Sequence, residues 1–339
     1  MKILLIGGTG RISMAVSREL LRQGHTLYLL NRGNRNGELS GAVCIQADIE
    51  QEEEVEKLLA NLTFDAVADF IAFTPRQVER DVRLFRGRTR QYLFISSASA
   101  YQKPQKEYRI TEETPLENPY WEYSRNKIAC EDYLMECYRE MQFPVTIVRP
   151  SHTYDERSIP VGIHGDNGSW QVVKRMLENR PVVIHGDGTS LWTMTHNSDF
   201  ARGFIGLLGN SDAIGQAVQI TSEESLTWNQ IYETLAEVLG VKLHAVHIAT
   251  DFLVGCSGSY DLEGNLLGDK AATVVFDNQK LKKMVPDFHT EITLKEGMRQ
   301  AYDYLLSHPE QQKEDPEFDA WCDRVIEAQH QAGIFFERY

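Results

Sequence analysis

The stretch KILLIGGTGRIS, residues 2–13, decides the fold of this chain. Residues 2–6 form an apolar run typical of a buried β-strand, and a glycine-rich turn then leads into an amphipathic helix. Gly7 and Gly10 allow a tight turn and a close approach of the backbone to a ligand, and N–H groups at the start of a helix attract phosphate. The stretch is therefore either the pyrophosphate site of a dinucleotide or a simple tight turn, and its place at the first β–α turn favours the pyrophosphate site.

Ser13 stands at the position where a third glycine is usual in such a turn. That glycine normally lets the helix pack closely against the strand. A hydroxymethyl group is bulkier, so we expect slightly looser packing between the first helix and the first strand.

Short apolar runs alternate with amphipathic stretches through the first half of the chain. The apolar runs occupy residues 2–6, 26–30, 42–47, 66–72, 91–96 and 144–150. Near-continuous apolar strands separated by helices are typical of a parallel sheet covered on both faces. The pattern therefore predicts an α/β fold with a Rossmann-type, doubly wound parallel sheet.

Composition disfavours several classes of function. The 339 residues carry a net charge of −14, and 42% of them are hydrophobic. This length suggests one large domain plus a smaller one. The negative charge disfavours nucleic acid and anionic membrane surfaces, and no segment has the length and apolarity of a membrane span. The scattered cysteines, without a C-x-x-C motif, predict reduced thiols and a cytoplasmic location.

The end of the second strand bears on the choice between NAD and NADP. An acidic residue there would hold the ribose 2′-hydroxyl of NAD, but the sequence has Asn31 followed by Arg32. A guanidinium suits a 2′-phosphate, so we expect NADP slightly over NAD. Alternatively, Arg32 stacks on the adenine or faces solvent. Asp48, after the third strand, is placed either to accept a hydrogen bond from the adenine amino group or to cap the next helix.

Two further segments predict a proton-transfer site. SSASAY, residues 96–101, follows the fifth strand at the edge where ligands bind in open α/β sheets. In EYSRNK, Tyr123 and Lys127 lie four residues apart and share a helix face, although such pairs also occur on solvated helices. A nearby ammonium and an oxidised nicotinamide would lower the phenol pKa from about 10. Tyr123 would then exchange a proton with a substrate whose oxygen is held by Ser97.

The motifs GGTGRIS, ADI, SSASAY, YSRNK, RPSHTY and GDGTSLWTMTHNSD occur in this order from the N-terminus to Asp199. In type and order they resemble those of the extended short-chain dehydrogenases/reductases, the NAD(P)-dependent epimerase/dehydratase family. The resemblance implies an enzyme with a smaller C-terminal α/β substrate domain and a sugar-like or nucleotide-sugar substrate. It also implies a homodimer formed through the helices after the fourth and fifth strands. We expect residues 1–150, with segments from about 182–220, to bind the cofactor and residues 151–339 mainly to bind the substrate.

The resemblance also implies roles for individual residues. Ser97, Tyr123 and Lys127 take the catalytic places, and the backbone at Pro150 and Ser151 meets the nicotinamide amide. The residues expected to bind the cofactor are Gly7, Thr9, Gly10, Arg11, Ile12, Asn31, Arg32, Asp48, Ile49, Ile71, Ser96, Tyr123, Lys127, Pro150 and Ser151.

Two departures from the family pattern bear on the substrate. Trp192 occupies the place of an arginine that clamps the diphosphate of nucleotide sugars, and His152 occupies that of an asparagine. An indole cannot replace a bidentate cation on phosphate, but it can stack on a flat ring or pack in the core. The residues predicted to contact substrate are Ser99, His152 and Trp192. The missing positive charge would have to come from Arg157, Lys174 or Arg175.

The histidines His152, His185 and His196 match no metal-ligand spacing, so we expect no metal. The resemblance places His196 and Asp199 in a structural turn.

Two alternatives to an epimerase or dehydratase stay open. One is an NADPH-dependent carbonyl reductase that uses the same catalytic residues. The other is a non-catalytic RNA-binding relative, because GGTGRIS followed by NRG also resembles the chloroplast stem-loop-binding proteins, although a net charge of −14 disfavours RNA.

Overall fold

The computed structural model describes residues 1–33 and 39–337. The strands within these ranges are β1 (Lys2–Ile6), β2 (Thr26–Asn31), β3 (Val43–Gln46), β4 (Ala66–Asp69), β5 (Tyr92–Ile95), β6 (Arg109–Ile110), β7 (Val145–Pro150), β8 (His152–Tyr154), β9 (Val182–His185), β10 (Leu191–Trp192), β11 (Met194–His196), β12 (Gln216–Ile220), β13 (Leu226–Thr227), β14 (Ala245–Ile248) and β15 (Val275–Phe276). The α-helices are α1 (Arg11–Arg22), α2 (Glu52–Leu59), α3 (Pro75–Phe85), α4 (Glu122–Met141), α5 (Trp170–Leu177), α6 (Asn197–Leu207), α7 (Trp228–Leu239), α8 (Thr250–Gly255), α9 (Gln279–Met284), α10 (Leu294–Ser307) and α11 (Pro316–Glu337). A π-helix spans Glu263–Lys270.

The central feature of the described chain is a seven-stranded sheet with the order β12–β7–β5–β4–β1–β2–β3. Every neighbouring pair in it is parallel. The strand order reverses between β1 and β4, so the loops that follow these two strands leave a crevice at the carboxyl edge of the sheet. The predicted Rossmann-type, doubly wound fold is confirmed.

Alternate residues of β1 explain why both faces of the sheet are covered. Ile3 and Leu5 pack into one hydrophobic cluster, whereas Leu4 and Ile6 pack into another on the opposite face. Because side chains alternate across a strand, an all-apolar strand requires helices on both sides.

The C-terminal part has a hydrophobic cluster of its own, built in part from α7, α10 and α11. Pairs of short strands surround it: β8 with β11, β9 with β14, and β10 with β13. From the segment 182–220, β12 returns to the main sheet beside β7, whereas β9 stays with β14. The domain boundary as a whole remains a prediction.

Among the described helices, none has the length and apolarity that crossing a bilayer requires. All five cysteines are free thiols, as the sequence predicts. The cytoplasmic location remains a prediction.

Candidate active site

The glycine-rich turn joins β1 to α1 at the carboxyl edge of the sheet. Gly7 has a φ of +77°, and a Cβ at this position would lie 2.4 Å from Cγ2 of Ile71. Gly10 is the N-cap of α1, so the N–H groups in the first turn of the helix have no intrahelical partners. The turn therefore brings bare backbone and free donors to the crevice.

Ser13 tightens this turn. Its buried hydroxyl donates to the carbonyl oxygen of Gly7 at 2.6 Å and accepts from the N–H of Gly10 at 2.8 Å. The side chain therefore bridges the two glycines with hydrogen bonds, and looser packing between the first helix and the first strand stays a prediction.

Replacing Ser13 with alanine is expected to lower the free energy of unfolding by about 1–2 kcal/mol, because the Gly7 carbonyl and the Gly10 N–H both lose their partner. Urea unfolding measures the change. Ser211→Ala, at an exposed position on a 3₁₀ turn, is the control and should stay within about 0.5 kcal/mol of the parent. Equal stability of the two variants would show that the bridge contributes nothing.

A cavity of about 540 Å³ lies beside the turn. The oxygen Oδ1 of Asn31 accepts from the N–H of Gly33, and the buried amide nitrogen of Asn31 has no hydrogen-bond partner. Arg32 is exposed at the same edge. Asp48 accepts from the N–H of Glu50 and does not cap α2, whose N-cap is Gln51. The predicted cofactor residues that line this cavity are Gly7, Thr9, Gly10, Asn31, Arg32, Asp48, Ile49 and Ile71.

A second cavity of about 300 Å³ adjoins the first and shares with it Gly7, Gly10, Ile71 and Phe73. The start of α1, the ends of β5 and β7 and the start of α4 bring the remaining predicted residues to this space. These are Arg11, Ile12, Ser96, Ser97, Tyr123, Lys127, Pro150 and Ser151.

Burial governs the phenol of Tyr123. It raises the pKa of Tyr123 to about 12, while the Ser97 hydroxyl acts in the opposite direction and the charge of Asp269 adds to the rise. We expected Lys127 and an oxidised nicotinamide together to lower this pKa, and Nζ of Lys127 lies 5.8 Å from the centre of the Tyr123 ring. In the polypeptide by itself burial raises the pKa instead, and its lowering beside a nicotinamide stays a prediction.

Lys127 is bound to backbone carbonyls. Its Nζ donates to the carbonyl oxygens of Ala72 and Ile95, each at 2.7 Å, and lies 4.5 Å from the centre of the Phe73 ring. Burial lowers the pKa of Lys127 to about 8. An ammonium group has three donors, so one N–H remains after these two hydrogen bonds.

The serines after β5 form a hydrogen-bonded chain. Ser124 donates to Oγ of Ser99 at 2.7 Å, and the hydroxyls of Ser99 and Ser97 lie 2.9 Å apart. Ser97 lines the smaller cavity, whereas Ser99 is buried and is absent from the linings described above. The prediction that Ser99 contacts substrate was wrong, because it lies behind Ser97 and holds it in place.

A buried ion pair supports the same strand end. Ser96 donates its hydroxyl to Oε1 of Glu131 at 2.5 Å, and Glu131 pairs with Arg149 at 2.5 Å. Because the Ser96 side chain is engaged in the core, any contact of this residue with a cofactor would come from its backbone.

Comparison with known proteins identifies the family of the chain. The model of the NAD dependent epimerase/dehydratase family matches residues 3–221. The chain belongs to this family. The predicted family and enzyme class are thereby confirmed, and the chain is an enzyme of a group that comprises epimerases, dehydratases and reductases.

The individual relatives are distant. Over 253 residues the chain is 24% identical to 2'-dehydrokanamycin reductase from Streptomyces kanamyceticus, covering 74% of this chain and 70% of that protein. It is also 24% identical over 253 residues to chloroplast stem-loop binding protein of 41 kDa b from Arabidopsis thaliana, covering 70% of this chain and 63% of that relative, which is less than two thirds of its length. The structure of UDP-glucuronic acid 4-epimerase from Bacillus cereus, in complex with UDP-glucuronic acid and NAD, is similar with a TM-score of 0.72 at 20% identity, covering 91% of this chain and 99% of that chain.

Trp192, in the place of the family's clamping arginine, lies in the core. Only 4% of its surface is exposed, and it stacks on Trp228 with 5.9 Å between ring centres. Its Nε1 is buried without a hydrogen-bond partner. The prediction that Trp192 contacts substrate was wrong, and the alternative of core packing is what the structure shows.

The cations suggested as replacements for that arginine are already paired with carboxylates. Arg157 pairs with Asp155, and Lys174 pairs with Glu314 at 2.6 Å. Arg175 is fully buried, and its partners are Asp319 at 2.8 Å and Asp323 at 2.7 Å. None of these three therefore supplies an uncompensated charge for a diphosphate.

The turn at the start of α6 is structural. Nδ1 of His196 lies 2.7 Å from Oγ of Ser198, and Asp199 accepts from the N–H groups of Glu291 and Ile292. Across residues 1–33 and 39–337, no group of three His, Cys, Asp or Glu side chains is arranged to hold a metal ion.

Sequence reasoning missed Phe73 and Asn118. Phe73 lines both cavities and lies 6.2 Å from the Tyr123 ring between ring centres. Asn118 donates to the carbonyl oxygens of Ser99 at 2.8 Å and Gly268 at 2.7 Å, so it ties the serine turn to the π-helix. The Asn-Pro dipeptide marked a turn at this point, but no local pattern indicates the distant partner.

Proposed function

We propose that this chain is an NAD(P)-dependent epimerase/dehydratase-type oxidoreductase acting on a hydroxyl or carbonyl group of a sugar-like or nucleotide-sugar substrate. The observation that carries the proposal is the smaller cavity, where Ser97, Tyr123 and Lys127 share one space with the glycine-rich turn. Replacement of Tyr123 by phenylalanine tests it and is argued in the Discussion.

The two adjoining cavities suit a dinucleotide that runs along the edge of the sheet. At Gly7 a Cβ would lie 2.4 Å from Cγ2 of Ile71, so only glycine lets the turn pack against that side chain, and both residues line the larger cavity where we expect the pyrophosphate. At the other end, the unpartnered amide nitrogen of Asn31 offers a donor to a ribose. We expect the adenosine near Arg32 and the nicotinamide near Tyr123. A bound nicotinamide would supply hydride acceptance and donation.

Side chains of the smaller cavity would transfer the proton that accompanies the hydride. With a pKa of about 12, Tyr123 is protonated near neutral pH, so it can donate to the oxygen of a substrate carbonyl that is being reduced. The Ser97 hydroxyl can donate to the same oxygen. In the opposite direction Tyr123 accepts a proton from a substrate hydroxyl, which requires its pKa to fall. The remaining N–H of Lys127 is the nearby positive charge that would assist.

The absence of a carboxylate at the end of β2 supports NADP over NAD. Arg32 is exposed beside the larger cavity, and a guanidinium binds phosphate with charge-assisted hydrogen bonds.

Arg32→Ala is expected to weaken NADP binding by about 10- to 100-fold, because a hydrogen bond to a charged group contributes roughly 1.5–3 kcal/mol. NAD binding should change by less than threefold. Fluorescence titration of both cofactors measures this, with Arg90→Ala as the control, since the Arg90 side chain is 86% exposed and absent from the linings of the two cavities. Tighter binding of NAD than NADP by the parent protein would reverse the preference.

A carbonyl reductase of the same family is the second candidate. It is supported by the similarity to 2'-dehydrokanamycin reductase and by the burial of Trp192 where a diphosphate-binding arginine is usual. The spectrum and extracted cofactor of freshly purified protein separate the candidates. A retained nicotinamide supports epimerase-type cycling, whereas an empty protein that accepts external NADPH supports a reductase.

An RNA-binding function is supported only by the similarity to the chloroplast stem-loop binding protein. Salt-sensitive retention of RNA at physiological ionic strength would favour it, and the net charge of −14 predicts none.

Homodimerisation through α3 and α4 also remains a prediction, and sedimentation of the purified protein tests it.

A further inference from the structure

Asp69, a buried carboxylate at the end of β4, lines neither of the two cavities. It lies in the middle of the sheet, because β4 is placed between β1 and β5, and its side chain is fully buried. Its Oδ1 accepts from the N–H groups of Ile71 at 2.5 Å and Ala72 at 2.9 Å. Its Oδ2 has no hydrogen-bond partner among the described residues.

Charge balance does not explain this carboxylate. Oδ2 of Asp69 lies 3.6 Å from Nη2 of Arg80, which is beyond hydrogen-bond range. Arg80 is already bound by two other carboxylates, Asp81 at 2.8 Å and Glu50 at 2.6 Å. Burial and the charge of Asp81 hold the pKa of Asp69 well above its usual range. A core carboxyl group with an unpaired oxygen is unfavourable for stability, so a role in the adjacent site is the simpler explanation of its presence.

The N–H groups that Asp69 binds belong to residues 70–73, a segment in the wall of the candidate site. Ile71 and Phe73 line both cavities and are 37% and 44% exposed. Because these two side chains face the crevice, their packing gives the segment little support. Hydrogen bonds hold it instead: Asp69 binds one side, and on the other side Oε1 of Gln77 accepts from the N–H of Phe73 at 2.7 Å.

This segment carries one of the two acceptors that bind the Lys127 ammonium, the carbonyl oxygen of Ala72. The other acceptor is the carbonyl of Ile95 at the end of β5, a strand held on both sides by β4 and β7. Ala72 lies between β4 and α3, outside any strand or helix, so the sheet does not fix its carbonyl. The three N–H groups of an ammonium have fixed angles, so two bound acceptors determine where the third points.

We propose that Asp69 is a positioning residue for Lys127. It binds the N–H groups of Ile71 and Ala72 and thereby fixes the Ala72 carbonyl that orients the ammonium. The inference rests on the proposed function, in which Lys127 supplies the positive charge beside Tyr123. Asp69 itself touches no reacting group.

The test follows the ammonium hydrogens of Lys127 by NMR in the whole chain, labelled with ¹⁵N-lysine and saturated with NADP. The pH is kept well below the pKa of Lys127, which burial lowers to about 8, and Lys127→Met assigns the signal. We expect Asp69→Ala to speed the exchange of these hydrogens with water by about 10- to 100-fold, the factor that corresponds to the loss of one hydrogen bond to a charged group. An unchanged exchange rate would overturn the proposal.

Conservative variants separate hydrogen bonding from charge. Contacts to N–H groups two and three residues ahead are typical of Asp and Asn, so Asp69→Asn should keep the exchange rate of the parent. Faster exchange in Asp69→Asn would assign the effect to the charge and contradict the proposal. If Asp69→Ala does not fold, Asp69→Ser takes its place, because a hydroxyl can accept from one of the two N–H groups. An intermediate rate is then expected, and a rate equal to that of the parent would count against the proposal.

Asp199→Ala is the matched control. Asp199 is also a buried carboxylate that accepts from two N–H groups, those of Glu291 and Ile292, but it lies in the structural turn of α6. This variant loses the same kind of contacts and should leave the Lys127 signal unchanged. Equal acceleration in Asp199→Ala and Asp69→Ala would show a general loosening of the fold, and the inference would fail.

A double-mutant cycle with Lys127→Met separates this inference from the proposed function. If Asp69 acts through Lys127, Asp69→Ala lowers kcat by about tenfold in the parent, the weaker end of the same range, and causes no further loss in Lys127→Met. Additive losses would show that Asp69 acts independently of Lys127 and would refute the inference. A parent protein without turnover would contradict the proposed function, whereas the exchange measurement would still decide the role of Asp69.

Discussion

Tyr123→Phe is expected to lower kcat by about 10²- to 10⁴-fold, because the variant removes the hydroxyl that we propose to transfer the proton to and from the reacting oxygen. The Kd of the nicotinamide cofactor should change by less than threefold. Phenylalanine keeps the ring, which contacts Trp121 and Phe73 at 4.9 and 6.2 Å between ring centres. The expected loss is therefore confined to proton transfer.

The measurement combines turnover of nucleotide-sugar and free-sugar substrates, followed by chromatographic separation of the product because an epimerase regenerates its nicotinamide in every cycle, with a fluorescence titration of the cofactor. Tyr108→Phe is the matched control, because Tyr108 loses the same hydroxyl at a position that is 63% exposed. Turnover of Tyr123→Phe equal to that of Tyr108→Phe would rule out the proposed mechanism. A loss of cofactor binding as large as the loss of turnover would instead assign Tyr123 to binding.

Glu131→Ala is expected to lower the free energy of unfolding by about 3–5 kcal/mol, the usual effect of removing one partner from a buried ion pair. Arg149 would be left with an uncompensated charge in the core, where only 5% of its surface is exposed. Its remaining contacts are the carbonyl oxygen of Glu112 at 3.2 Å and the face of the Tyr101 ring at 4.9 Å. Neither neutralises a guanidinium.

Urea unfolding of the two proteins tests this, with Glu136→Ala as the control. Glu136 lies on the same helix but is exposed, so its replacement should change stability by less than about 0.5 kcal/mol. Because Ser96 donates to Glu131 and precedes Ser97, a folded Glu131→Ala protein should also turn over more slowly. A loss of stability below about 1 kcal/mol would show that the pair is a weak support for this strand end.

Local patterns were sufficient where a single element determines its own structure. The run at residues 2–6 became β1 with the same bounds. The helix α7 begins after Thr227, whose hydroxyl accepts from the N–H of Gln230, and ends at Gly240 with a φ of +69°. Such capping residues make contacts within a few positions along the chain, so sequence spacing alone predicts them.

Patterns failed where the outcome depended on contacts between distant segments. From the sequence, Ser13 is only a departure from the usual glycine, and Ser99 is a predicted substrate contact. In the structure Ser13 makes two hydrogen bonds across the turn, and Ser99 is buried behind Ser97. The sequence allowed Trp192 to stack on a substrate, but in the structure its ring stacks on Trp228.

The sequence by itself determined the family, the parallel sheet and the positions of Ser97, Tyr123 and Lys127, since these follow from periodicity, turn residues and motif order. Only the tertiary structure decided how those side chains are charged and what surrounds them. Burial sets the pKa of Tyr123, and the fold brings Asn118 to the carbonyl oxygen of Gly268, 150 residues further along the chain. Desolvation and charge–charge interactions depend on three-dimensional distance, and distance along the chain carries almost no information about either.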